Sequence, residues 1–190
     1  MNDQPFLKMM GDVSASASHD ILNVLAILNE HTGLLSDLLA LKGEVTPDQL
    51  LQTTHAMESQ IKRGKDLLEH LNRFAHSPDT LNSPARLQPI DVAETITEIA
   101  RLTHRRFHIE IISPLPPLPL SCEPMLLRLF IYTLFKEAAD HDASPRITMS
   151  AGKGRLQTQT PFYPSPRLLE YASHLGIGLS PENGLHLALP

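Results

Sequence analysis

The sequence predicts a mixed fold, α + α/β: a long antiparallel helical hairpin that dimerises into a four-helix bundle, followed by a small α/β sandwich. Three observations carry this. Apolar residues recur with helical spacing up to about His76, a stretch at 77–89 rich in Ser, Pro, Asn and Asp breaks the pattern, and short β-prone runs then alternate with helical ones. Aromatic content of only 5%, with no Trp, suits leucine-rich helix packing better than an all-β core.

The first helix is expected from about Pro5 to Leu41 and the second from about Pro47 to His76. In the first, Ile21, Leu25, Leu28, Thr32, Leu35 and Leu39 follow one another at spacings of four and three. In the second, Leu50, Thr54, Met57, Ile61, Gly64, Leu68 and Leu71 do the same, so both helices carry a bundle seam. Lys42 to Pro47 supplies the turn: Gly43 ends one helix, Thr46 caps the next, and Pro47 suits a first helical position. A lone hairpin leaves much of this surface uncovered, and Leu34, Leu38 and Leu41 add a second stripe. Two hairpins are therefore expected to pair, making residues 1–78 a dimerisation unit.

Residues 88–190 form the second expected unit. Asp91 to Thr103 reads as a helix, Phe107 to Ile112 as a short β-prone run, and Met125 to His141 as a strongly apolar helix. Arg146 to Ser150 and Gly154 to Phe162 read as a hairpin turning at Gly152 and Gly154, Arg167 to Leu175 as a last helix, and Gly184 to Leu189 as a last strand.

Sixteen basic against 21 acidic residues argue against a nucleic-acid or anionic-membrane surface. The single cysteine, Cys122, excludes an intrachain disulfide, and no run reaches the roughly 18 apolar residues of a membrane span. Met1 to Met10 lacks the basic end and apolar centre of a signal peptide, so a cytoplasmic protein is expected.

The chemistry-bearing stretch is Ser18-His19-Asp20-Ile21-Leu22-Asn23 at the start of the apolar run. At 100° per residue, with His19 at zero, Ile21, Leu25 and Leu28 fall at about 180–240°, whereas Asn23, Ala26 and Glu30 fall within about 40° of the histidine. His19 thus points away from the seam. An exposed imidazole titrates near pH 6.5 and is in large part a neutral nucleophile at neutral pH, and its phosphoramidate can pass a phosphoryl group onward. Asp20 could hold one ring nitrogen, and Asn23 could orient a water or a phosphoryl oxygen. Geometry alone is equally compatible with a surface histidine, one of ten in the chain.

This stretch resembles the phosphoacceptor box of two-component sensor histidine kinases. The resemblance implies that His19 is phosphorylated, that the adjacent acid, Asp20, is the family's base in autophosphorylation, and that Asn23 positions water for dephosphorylation of a partner receiver. Val24 departs from the family, which commonly has Pro there. The second unit also resembles that family: Asp91-Val92-Ala93-Glu94-Thr95-Ile96 is similar to the opening helix of its ATP-binding domain, Pro116 to Pro124 to the strand and turn before its central helix, and Leu189-Pro190 to its ending. The ATP-holding residues are missing. Thr133 and Glu137 stand where the family places two asparagines, and a carboxylate aimed at triphosphate is repulsive. No Asp-x-Gly-x-Gly loop is present, Gly176-Ile177-Gly178 is a weak phosphate loop, and 155–166 is too short for a long lid.

The resemblance extends to phosphotransferases of the ChpT type and of the sporulation relay, which pair a kinase-like hairpin with a degenerate ATP-binding domain. It implies a homodimeric histidine phosphotransferase that relays phosphate between response-regulator receiver domains through His19 without ATP. On this resemblance the expected catalytic residues are His19, Asp20 and Asn23, with Leu22, Ala26 and Glu30 expected as the rim that meets the partner. No cofactor belongs to the chain, magnesium being held by the receiver. The alternatives are a pseudokinase phosphatase acting through Asn23 and Asp20, a non-catalytic docking scaffold, and an active kinase with unusual ATP contacts. His104 and His108 lack a third metal ligand, and Arg101, Arg105 and Arg106 suit a helix C-terminus.

Overall fold

The computed structural model describes residues 4–76, 87–112, 115–143, 145–150, 155–158, 162–180 and 186–188. Helix α1 (Gln4–Lys42) and helix α2 (Pro47–His76) form the hairpin. Gly43 ends α1 with a positive φ of 75°, its N–H donating to the Leu39 carbonyl at 3.0 Å. Thr46 and Gln49 open α2 as a reciprocal capping box: the Gln49 N–H donates to Thr46 Oγ1 at 3.3 Å, and the Thr46 N–H to Gln49 Oε1 at 3.2 Å. Gly64 lets the two helices approach, because a Cβ there would come within 3.2 Å of Val24 Cγ1. The branched side chain of Val24 is thus seated against a residue with none.

Strand β1 (Gln88–Asp91) follows, then α3 (Val92–Leu102), the short α4 (His104–Phe107), β2 (Glu110–Ile111) and β3 (Pro119–Cys122). After α5 (Pro124–His141) come β4 (Arg146–Ser150), β5 (Arg155–Thr158), α6 (Pro166–Leu175), β6 (Gly178–Ser180) and β7 (His186–Ala188). β1 and β3 pair antiparallel with Gln88 opposite Cys122. The five-stranded sheet has the order β2-β4-β5-β7-β6, parallel only between β2 and β4. Asp91 caps α3 by accepting from the Ala93 N–H, and also accepts from the Leu118 N–H, each at 2.9 Å.

Several local expectations are corrected. Gln88 and Pro89 lie in a strand rather than in a linker, with Pro89 exposed on a two-stranded ribbon that has free edges. Only the end of the expected β run at 107–112 is strand, since Phe107 closes α4 and His108 turns the chain with a φ of 49°. Gly176 is the left-handed C-cap of α6 and Gly178 begins β6, so Gly176-Ile177-Gly178 is no phosphate loop. Gly152, Gly154, Gly184, the ending Leu189-Pro190 and the expected linker at 77–86 lie outside the described residues.

One hydrophobic cluster joins the hairpin to the sandwich. Met9, Val13 and Ala17 of α1 and Phe74 of α2 are fully buried with Ile96 and Ile99 of α3 and Leu127 and Phe130 of α5. This face of α1 differs from the predicted seam, where Leu25, Leu39, Leu50, Ile61 and Leu68 remain 50–57% exposed. An 18-residue window of α1 reaches a mean hydropathy of 1.3, so by length and composition α1 could cross a membrane. Only 6% of that window is buried, so its apolarity is that of the open seam and not of the face packed on the sandwich.

Polar groups fix the junction. Tyr132 of α5 donates its hydroxyl to Asp12 Oδ2, Arg106 Nε reaches the same oxygen at 3.0 Å, and Lys8 Nζ lies 3.3 Å from it. Burial, and then the Asp12 carboxylate, push the Tyr132 phenol well above its ordinary value, with Arg106 opposing. Arg128 and Glu98, both largely buried, tie α5 to α3 at 3.0 Å. Replacing Asp12 by Ala strands the Tyr132 hydroxyl and two cations, and should cost about 2–4 kcal/mol in denaturant unfolding. An unchanged midpoint would show that Asp12 does not hold the junction.

Candidate functional site

His19 lies midway along α1, exposed, and no hydrogen bond to its ring occurs among the described residues. The next residue faces inward. Asp20 is only 5% exposed, and its Oδ1 accepts from Arg105 Nε of α4 at 3.0 Å. One helical step of 100° separates the two side chains, which explains why Asp20 bonds across to the sandwich and not to the imidazole. The expected orientation of the ring by Asp20 is therefore absent among the described residues. Val24, one turn on, is also buried, against Gly64. Asp20 and Val24 together fix the rotation of α1 about its axis, and that rotation presents His19 to solvent.

The other expected residues share the outward side. Asn23 is half-buried, while Leu22, Ala26 and Glu30 are exposed, Leu22 at 64%. The arrangement offers an accessible imidazole on a rigid helix, an amide one turn away, and an apolar rim.

Glu137 of α5 already has partners. Its carboxylate accepts the Ser165 N–H at 3.0 Å and the Ser165 hydroxyl, while Ser165 Oγ accepts the Leu168 N–H at 3.2 Å as N-cap of α6. The adjoining cleft, about 590 Å3, is lined by Thr133, Glu137, Tyr163 and Arg167, with Lys8 entering from α1. Glu137 therefore ties α5 to the start of α6.

Sequence reasoning missed the charged contacts between the units. Besides Asp12 and Arg105, His70 of α2 sits between two arginines, its Nδ1 2.9 Å from Arg73 Nη2 and its Nε2 2.6 Å from Arg101 Nη1. Burial, then Arg101 and Arg73, lower its pKa from the ordinary 6.5, opposed more weakly by Glu98 and Asp66. His104 and His108 stack edge to face at 5.7 Å, and no metal-ligating group of three or more side chains occurs among the described residues.

No family model matches the chain, and no curated protein matches it. Among solved structures it is similar to the cytoplasmic segment of the histidine kinase QseC, at 16% identity over 68% of this chain and 94% of that chain, with a TM-score of 0.40. It is similar also to a bacterial phosphotransferase, at 11% identity over 95% and 94% of the two chains, TM-score 0.42. The histidine kinase AdeS of Acinetobacter baumannii is a third, at 12% identity over 90% and 98%, TM-score 0.37. These are likenesses of fold.

Two measurements test the junction. Arg105→Gln leaves the buried Asp20 carboxylate without its cation and should cost about 1–3 kcal/mol, with Asp20→Asn in the same chain restoring part of the loss; independent, additive effects would show that the pair is not coupled. As pH falls, the unfolded chain takes up the His70 proton near pH 6.5 before the folded chain does. The stability due to neutral His70 is thus present above about pH 6.5 and declines below it, towards the lower folded-state value. His70→Gln should flatten the fall in Tm between about pH 7.5 and pH 5.5, and an identical slope would refute this.

Proposed function

We propose that the protein is a histidine phosphotransferase of two-component signalling, carrying a phosphoryl group on His19 between receiver aspartates. The observation that supports it best is the position of His19: an exposed imidazole with no hydrogen bond among the described residues, close to two anchored positions, Asp20 and Val24. A lone-pair nitrogen of the ring attacks the phosphorus of a receiver's aspartyl phosphate. The P–O bond breaks, the receiver regains its carboxylate, and a P–N bond forms. A second receiver's carboxylate then attacks the phosphohistidine and releases the imidazole. Magnesium held by the receiver neutralises the phosphoryl oxygens, so this chain needs no metal site of its own.

The engagement of Asp20 by Arg105 and of Glu137 by Ser165 supports a role without ATP, since one family base and one family ligand position are already committed. Residues 1–78 act as the phosphoacceptor and dimerisation unit, with Leu25, Ile61 and Leu68 covered by a second copy of the hairpin. Leu22, Ala26 and Glu30 form the rim on which the receiver lands, and residues 88–190 help to select it. Asn23 lies close enough in azimuth to His19 to act on the same phosphoryl group.

The test is phosphotransfer from a receiver labelled at its aspartate, followed as acid-labile phosphate on each chain. Wild type should become labelled, and His19→Gln should lose at least a thousandfold in rate. Rapid release of free phosphate that survives His19→Gln and fails in Asn23→Ala would replace the relay by a phosphatase. Unaltered label on the receiver, with binding retained, would leave a docking scaffold.

A further inference from the structure

A second cleft, of about 530 Å3, opens between α2, α3, α4 and β2 with Asp20 of α1 at its wall, and none of its other lining residues belongs to the proposed relay site. Its lining is unequal in charge. Lys62 and Arg63 of α2 and Arg101 of α3 face it, and among the described residues none of the three lies within ion-pair distance of a carboxylate. Of the two acids on the lining, Asp20 is neutralised by Arg105, which leaves Asp66 against three cations. Leu67, Ala100, Ile109 and Ile111 give it an apolar floor.

Arg101 is also a donor in surplus. A neutral imidazole has one lone pair, arginine has only N–H groups, and His70 has an arginine at each ring nitrogen. Only one of the two can be accepted at a time. Arg73 has a second acceptor in Glu94, at 3.3 Å, whereas Arg101 has no carboxylate among the described residues. The guanidinium that lines the cleft is the one short of an acceptor.

We propose that this cleft binds a small phosphate monoester carried on an apolar body, with Arg101, Lys62 and Arg63 around the phosphate and the body over Leu67 and Ile109. A dianion matches the excess of positive charge, supplies the acceptor that His70 cannot give to both arginines, and leaves the floor for apolar contact. Because the lining comes from both α2 and the α3–α4 region, the ligand also clamps the hairpin to the sandwich.

Phenyl phosphate is the probe, titrated calorimetrically into the full chain at fixed ionic strength beside inorganic phosphate and phenol. One site per chain is expected, with phenyl phosphate at least tenfold tighter than either fragment. Arg101→Gln should weaken it at least tenfold, and so should the exposed pair Lys62→Gln with Arg63→Gln, which has no ion pair to lose on folding. No saturable binding, or binding that both variants leave unchanged, overturns the proposal. Failure to take phenyl phosphate together with loss of receiver binding in the Lys62→Gln, Arg63→Gln chain also overturns it, and makes the cleft a protein contact. Titration of the isolated chain reads ligand binding whether or not His19 relays phosphate, so the two proposals fail separately.

Discussion

The interaction on which the rest of this structure depends is the set of bonds converging on Asp12. A carboxylate near the start of α1 takes a hydroxyl from α5, a guanidinium from α4 and an ammonium from its own helix. Charge-assisted bonds of this kind offset the cost of withdrawing a carboxylate from water, and they do so only in one geometry. Helix α1 belongs both to the hairpin and to the core of the sandwich, so fixing its rotation at Asp12 fixes it along its length. Asp20 then faces Arg105, Val24 faces Gly64, and His19 is left on the outside. Accessibility of the imidazole is a product of how its neighbours are tied down.

The same rotation divides the apolar surface of α1 in two. One face, at Met9, Val13 and Ala17, is spent on the sandwich, while the face at Leu25 and Leu39 stays open. A helix with two apolar faces is expensive to leave in water, and the open one matches a similar face on α2 at Ile61 and Leu68. The proposed pairing of two hairpins follows from this surplus. The proposed ligand cleft shares only Asp20, held by Arg105, with the proposed relay site, and neither needs the seam.

Helix ends were legible in the sequence wherever local chemistry sets them. Gly43, Thr46 and Pro47 mark the hairpin turn by backbone freedom, capping and fixed φ, and the observed ends of α1 and α2 lie within one residue of those expected. β1 and β6 were not legible: each has three or four residues, one contains Pro89 and the other begins with Gly178, and both exist because a partner strand pairs with them. The inner face of α1 was also hidden, since Ser16 and Ala17 are too small to stand out in an apolar pattern. His19 and its rim could be read from one local motif. The salt bridge that commits Asp20 joins residues 85 positions apart and leaves no local mark, and Glu137 reads as an absent asparagine until Ser165 is placed beside it.

Glu137 bears on how such a chain can change. Its carboxylate holds the start of α6 through Ser165, so an asparagine there would exchange a charged acceptor for a neutral one at a helix start that depends on it. Any function that needed an amide at this position would therefore start from a less stable fold. The carboxylate is in this way retained by a bond that serves folding.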